Sequence, residues 1–180
     1  RNNAKFNDDI YVTGNIGDSF LGLKILKNRI KLNNNLKKYF LKKYYCPDIP
    51  FRIHNHINKF ANTSMDVSDG LIVDMNKLIN NQNLSYEIYL DKIPISIPLK
   101  NYLKNTNKKK ENYLFNGDDY QILFTASQKQ RLRIKKISKR LNQRITLIGR
   151  INKYNKKNVI INDHQFKLVN NIGGYYHYFH

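Results

Sequence analysis

Apolar positions along the chain alternate between two spacings, a period of two in short runs and a period near 3.6 in longer ones. Ile10-Tyr11-Val12-Thr13 is β-branched and aromatic and predicts a strand. Gly14-Asn15-Ile16-Gly17 interrupts it. Asp18 or Ser19 is then expected to cap a helix whose apolar side is Leu21, Leu23, Ile25, Leu26 and Ile30. A second helix is expected over about 36–45. It is closed by Cys46-Pro47-Asp48-Ile49-Pro50, because two prolines so close forbid continuation. A third, short helix is expected over 51–60. Residues 64–67 predict a strand, Ser68-Asp69-Gly70 a turn, and Leu71, Ile72, Met75, Leu78 and Ile79 recur at helical spacing.

Residues 86–90 alternate as a strand does. Pro94 and Pro98 fence the segment after it, and the polar, lysine-rich run 105–112 reads as an exposed loop. A strand over 120–125, a basic amphipathic helix capped by Ser127 and reaching about 141, and a strand over 144–151 follow. Two short strands, 159–161 and 165–168, flank a turn at Asn162-Asp163. Helices and strands alternate, but short turns join some strands. The pattern predicts an α+β fold, a mixed sheet covered by helices, rather than a doubly wound parallel sheet. No internal repeat is present, and no composition shift divides the 180 residues, so 1–180 is expected to form one domain.

Composition adds four points. At 41% hydrophobic residues the chain can bury a proper core. It has no apolar run of transmembrane length and no signal-peptide layout, so a soluble protein kept in a reducing cytoplasm is expected. The single cysteine, Cys46, has no disulfide partner within the chain and reads as a small residue near a turn. The formal charge is +19. Such a charge suits an anionic partner, but runs such as NNNLKK and KYNKKN also fit codon bias expressed as solvated surface. Basic residues are scattered along the chain without interleaved aromatics, so no dedicated nucleic-acid site is read from them.

Candidate chemistry concentrates in two segments. In Ser64-Met65-Asp66-Val67-Ser68-Asp69-Gly70-Leu71, Asp66 ends a strand and Asp69 opens a helix. Two carboxylates three residues apart across a tight turn can converge, and they repel unless a cation neutralises them. Hard oxygen ligands suit magnesium, and the helix start favours an anion. A plain helix cap accounts for the same residues. Asp74 reads as solvated or structural. Asn116-Gly117-Asp118-Asp119-Tyr120 precedes a strand; its paired acids can bind a cationic ring, a metal or a water, or serve only as turn residues. Gly14-Asn15-Ile16-Gly17-Asp18-Ser19 lacks the Lys-Ser/Thr of a phosphate-binding loop and reads as a structural turn. Aromatics of the tail, Gly173 to His180, could stack on a heteroaromatic ligand or lock the tail to the core.

Four segments, in order, resemble the thiamine-monophosphate kinases. NDDIYVTGNIGDSFLGLKIL is similar to G-D-x-I-Y-V-T-G-x-x-G-D-S-x-x-G-L, SMDVSDGLIVDM to I-D-x-S-D-G-L-x-x-D-L, NGDDYQILFT to G-G-E-D-Y-E-L-x-F-T, and ITLIGRI to I-x-x-I-G-x-I. CPDIPFR and GGYYHYF are weaker echoes. The resemblance implies the C-terminal domain of the aminoimidazole ribonucleotide synthetase-like superfamily, with a dimerising N-terminal domain expected upstream. It implies transfer of the γ-phosphoryl of ATP to thiamine monophosphate with Mg2+. By position, Asp66 and Asp69 resemble metal ligands, and Arg1 and Ser68 resemble ATP contacts. Asp118 and Tyr175 resemble residues at the thiamine substrate. Asp118 stands where the family has Glu, one methylene longer, and Gln121 stands where it has Glu. Asn116 stands for the first Gly of G-G-E-D, a position where positive φ is expected.

Overall fold

The computed structural model describes residues 3–155, 157–162 and 165–169. Their backbone forms one mixed seven-stranded sheet, in the order β2-β4-β1-β5-β3-β6-β7. The strands are β1 (Asp9–Thr13), β2 (Thr63–Asp66), β3 (Leu84–Tyr89), β4 (Ile122–Ala126), β5 (Ile145–Lys153), β6 (Val159–Asn162) and β7 (Gln165–Leu168). Every pairing is antiparallel except β3 with β6, which is parallel. The helices are α1 (Asp18–Leu26), α2 (Asn34–Tyr45), α3 (His54–Ile57), α4 (Leu71–Leu78), α5 (Ile97–Thr106) and α6 (Arg131–Arg140). The class is α+β, as the pattern predicts. None of the described helices is long and apolar enough to cross a membrane.

Period-two alternation assigns each side chain of β1 to one of two cores. Ile10 and Val12 join Met65, Leu123, Ile88 and Ile148 on one face, where α4 covers them with Leu71, Ile72, Met75 and Leu78. Tyr11 faces the other way and stacks on its cross-strand partner Phe124, with ring centroids 5.1 Å apart. α6 covers that second face with Ile134 and Ile137, and α3 and its flanks add Ile53, Ile57 and Phe60. Asp9, two residues before Tyr11 and on the same face of β1, is buried, and its carboxylate takes a two-pronged bond from Arg131 of α6 at 2.6 and 2.8 Å. A buried carboxylate and a partly exposed guanidinium thus tie α6 to β1.

A third core forms beyond the sheet, where α1, α2 and α5 bring together Leu21, Ile25, Phe40, Leu99, Leu103 and Tyr113. Two expectations fail here. Pro98 does not exclude a helix; it sits in the first turn of α5, where a proline lacks no bond, and Ser96 caps that helix by accepting from Leu99 N–H at 3.1 Å. The lysine-rich run is not simply an exposed loop either. α5 occupies its start, residues 110–113 form a 3-10 turn, and Lys110 is half-buried, donating to Leu90 O at 2.7 Å. Burial lowers the Lys110 ammonium to a pKa of about 8. α1 and α2 cross closely at Gly22, where a Cβ would lie 2.2 Å from Phe40 O. Gly22→Ala is therefore expected to push two backbones apart at a cost of about 1–3 kcal/mol. Thermal unfolding should show the Tm lowered by roughly 2–4 °C per kcal/mol.

Candidate functional site

The two acidic segments meet. The backbone of residues 67–70 runs beside that of 117–121. Val67 N–H donates to Gln121 O (2.7 Å), Tyr120 N–H to Val67 O (2.9 Å), and Asp118 N–H to Ser68 O (3.0 Å). These bonds extend the β2–β4 ladder past its end, where Asp66 is the register partner of Ile122. The contact is too close for side chains. A Cβ on Gly117 would fall 1.7 Å from Ser68 O, and one on Gly70 would fall 2.6 Å from Phe115 C. Gly117 is needed here for approach, not for φ. Positive φ falls on Asp118 (68°) and Tyr120 (49°), not on Asn116 as expected. A tyrosine held there is an uncommon backbone state of the kind found where function constrains the chain.

Asp74 holds the first loop in shape. Expected to be solvated or structural, it is structural and fully buried. Its Oδ2 accepts N–H bonds from Ser68 (2.9 Å), Asp69 (2.9 Å) and Gly70 (3.1 Å), so one carboxylate from the first turn of α4 serves the loop before it. Lys77 bridges Asp74 and Asp69 with its ammonium. Pairing raises the Lys77 pKa against the opposing effect of burial. Lys77 is not singled out from the sequence, although its spacing from Asp74 on one helix face carries the signal.

Asp119 holds the second loop. Expected caps Asp18 and Ser19 lie inside α1, whose N-cap is Gly17 and has no side chain to offer. The carboxylate of Asp119 replaces it from across the fold, accepting from Gly17 N–H at 2.7 Å and Ser19 N–H at 3.3 Å. Burial lifts its pKa to about 7 in spite of these donors. Gln121 is buried beside it, accepting from Thr13 Oγ1 (2.9 Å) and donating to Asp48 O (2.8 Å). A polar hollow of about 160 Å³ opens here, lined by Gly14, Asp18, Lys43, Asp48, Asp119 and Gln121 among others.

Of the residues named from sequence, Asp66, Ser68, Asp69 and Asp118 are brought to this junction. Arg1 and Tyr175 lie outside the described residues. Asp66 is exposed, while Ser68, Asp69 and Asp118 are half-buried. Burial and the charge of Asp69 raise the Asp118 carboxyl above its ordinary range. Tyr120, 40% exposed, has its phenol raised by partial burial and then by Asp118 and Asp66. Carboxylates gathered at one place repel one another, and a cation between them offsets that repulsion. Among the described residues no three His, Cys, Asp or Glu side chains form a metal cage. Asp66 and Asp69 can supply the one or two carboxylates that magnesium takes when phosphates and waters complete its shell.

The family description AIR synthase related protein, C-terminal domain, matches residues 7–162. The chain belongs to that family. The thiamine-monophosphate kinase of Buchnera aphidicola subsp. Acyrthosiphon pisum is 35% identical over 180 residues, 99% of this chain and 55% of its own length. That of Bacillus subtilis is 30% identical over 181 residues, again 99% and 55%. The structure resembles AaThiL complexed with AMPPCP and TMP, with a TM-score of 0.78 and 29% identity over 98% of this chain and 53% of that one. Escherichia coli HypE shares the fold, with a TM-score of 0.66 at 12% identity over 93% of this chain and 50% of that one. The chain spans about half the length of the curated relatives that it matches from end to end.

Two outcomes test the junction. Asp74→Ala leaves three N–H groups without an acceptor, and is expected to lower stability in urea by roughly 1–3 kcal/mol while the amides of 68–70 lose hydrogen-exchange protection. Asp119 has a folded pKa above the ordinary 3.8, so the folded state holds an extra proton between about pH 4 and 7 and its stability falls as pH rises through that window. Asp119→Asn removes this titration. The Tm of the unsubstituted protein minus that of the variant should therefore fall from pH 4 to 7 and level off above.

Proposed function

We propose that this chain is the C-terminal part of an ATP-dependent kinase that converts thiamine monophosphate to thiamine diphosphate. The observation that carries the reading is the junction itself. Two acidic loops far apart in sequence are stitched together by backbone bonds at spacings that leave no room for a Cβ. Identity to thiamine-monophosphate kinases over the whole chain supports the choice of reaction, and the likeness to AaThiL complexed with AMPPCP, an ATP analogue, and TMP supports the pair of substrates.

In this reading Asp66 and Asp69 hold magnesium, Ser68 contacts ATP, and Asp118 contacts the thiamine moiety. The attacking group is a phosphate oxygen of thiamine monophosphate, already ionised near neutral pH, so no general base is required of the protein. Bound magnesium supplies charge neutralisation between the two phosphate-bearing substrates. The chain's own part is positioning: the Asp74 carboxylate fixes the 68–70 loop, and Asp119 fixes the 117–121 loop against α1. A carboxylate at Asp118 also suits a cationic thiazolium ring, whose charge would offset the proximity of Asp69. Lys77 must yield part of its hold on Asp69 when a metal binds there. Work as one domain beside an N-terminal partner domain, homodimerisation through that domain, and a cytoplasmic location belong to the same proposal.

The test is thiamine diphosphate formation by the complete enzyme, read by mass spectrometry with ATP, magnesium and thiamine monophosphate. Asp66→Asn is expected to lower turnover by roughly 100-fold or more, as loss of a charge-positioning group does. Near-normal turnover with unchanged magnesium dependence would overturn the role of Asp66. A folded, magnesium-loaded enzyme that forms no product would reject the substrate.

A further inference from the structure

Basic residues that are scattered in sequence are gathered by the fold. α3 and α6 face each other across the second core, and the cleft between them is lined by His56, Lys59, Arg133, Lys136, Ile137 and Arg140. Arg133, Lys136, Ile137 and Arg140 recur at spacings of three and four, so one face of α6 carries them. His56 and Lys59 supply the opposite wall. The cleft is open to solvent and offers about 310 Å³.

Two observations set this cleft apart from the general lysine excess. First, none of Lys59, Arg133, Lys136 and Arg140 pairs with a carboxylate among the described residues, whose ion pairs lie at Lys43, Lys77 and Arg131. The sequence leaves them no local partner: residues 49–65 contain no Asp or Glu, and residues 120–162 contain 12 Lys and Arg and no acid. Codon bias accounts for lysine and asparagine on the surface, but not for arginines converging with a histidine in a concave site. Secondly, the walls are arranged. Arg133 donates to Lys59 O at 2.8 Å, and the Arg140 guanidinium lies 3.4 Å from the His56 ring. Partial burial and the charges of Arg140 and Lys59 hold the His56 imidazole below its ordinary pKa. Like charges so placed repel, and among the described residues no carboxylate lies against them to offset it.

We propose that the α3–α6 cleft binds a compact oligophosphate anion, such as a di- or triphosphate group, at a site separate from the carboxylate junction. Guanidinium forks at Arg133 and Arg140 match phosphate oxygens in pairs, while Lys59 and Lys136 contribute point charges. No Phe, Tyr or Trp lines the cleft, and the His56 imidazole is its one aromatic ring, so recognition falls mainly on phosphate. The concave shape and the two facing walls favour a short anion over an extended nucleic-acid strand. The site lies on the sheet face that α6 covers, whereas α4, which follows the Ser68-Asp69-Gly70 loop, covers the opposite one.

The test is calorimetric titration of the chain with inorganic tripolyphosphate in EDTA, where the carboxylate junction has no cation with which to hold phosphate. The double variant Arg133→Gln/Arg140→Gln is expected to weaken binding at least tenfold. A control of equal charge loss, Lys135→Gln/Lys139→Gln, changes residues of the same helix that do not line the cleft, and should weaken it less than twofold. All four positions are exposed, so circular dichroism should show both variants folded. Absence of binding, or equal losses in the two double variants, would overturn the proposal. So would tighter binding of a single-stranded RNA oligonucleotide that both pairs weaken equally, since that describes diffuse attraction to a basic surface.

Discussion

The contact between the backbones of residues 67–70 and 117–121 is the constraint on which the rest of this structure depends. It needs a residue without a side chain at 117 and another at 70, because carbonyl and peptide atoms occupy the space where a Cβ would stand. Once the two segments are joined, their acids are committed. Asp74 turns back to hold the first loop, and Asp119 reaches forward to the start of α1. One junction thereby fixes the exit of β2, the entry of β4 and the N-termini of two helices. Of the remaining carboxylates, Asp69 is paired with Lys77, while the side chains of Asp66 and Asp118 carry no such structural bond among the described residues.

The economy of negative charge has consequences elsewhere. The chain has 13 acidic residues against 32 lysines and arginines. Five of the acids, Asp8, Asp9, Asp18, Asp74 and Asp119, are buried and spent on backbone N–H groups, hydroxyls, an amide and the Arg131 guanidinium. Few are left to balance the surface. The α3–α6 side, which carries none, keeps its positive field, while the junction concentrates the negative one. Two regions of opposite charge thus follow from how a small number of carboxylates is distributed.

Much of the fold was legible locally. Strands β1, β3, β4 and β5 and helices α1, α2, α4 and α6 are expected within a few residues of where they lie, because a half-buried strand and an amphipathic helix each write their period into the apolar positions. α5 was not legible. Pro98 looked like a breaker, and only the Ser96 cap and the apolar contacts of Leu99 and Leu103 show it to be a first-turn proline. The sequence also marked Asp66, Ser68, Asp69 and Asp118, since short acidic turns beside strands are a local feature. It marked Asp119 only as one of a pair of acids and did not show its supporting role, because Asp119 acts on residues about a hundred positions away.

What the sequence determined by itself, then, was the list of elements, the α+β class and the two acidic turns, all of which rest on periodicity and on neighbours a few residues apart. Only the tertiary structure decided that those turns share one site, that Gly17 rather than Asp18 or Ser19 begins α1, and that scattered basic residues converge between α3 and α6. The physical reason is the same in each case. Hydrogen bonds, close backbone approach and charge repulsion act over a few ångströms in space, and sequence spacing does not reveal which distant segments the sheet brings within that reach.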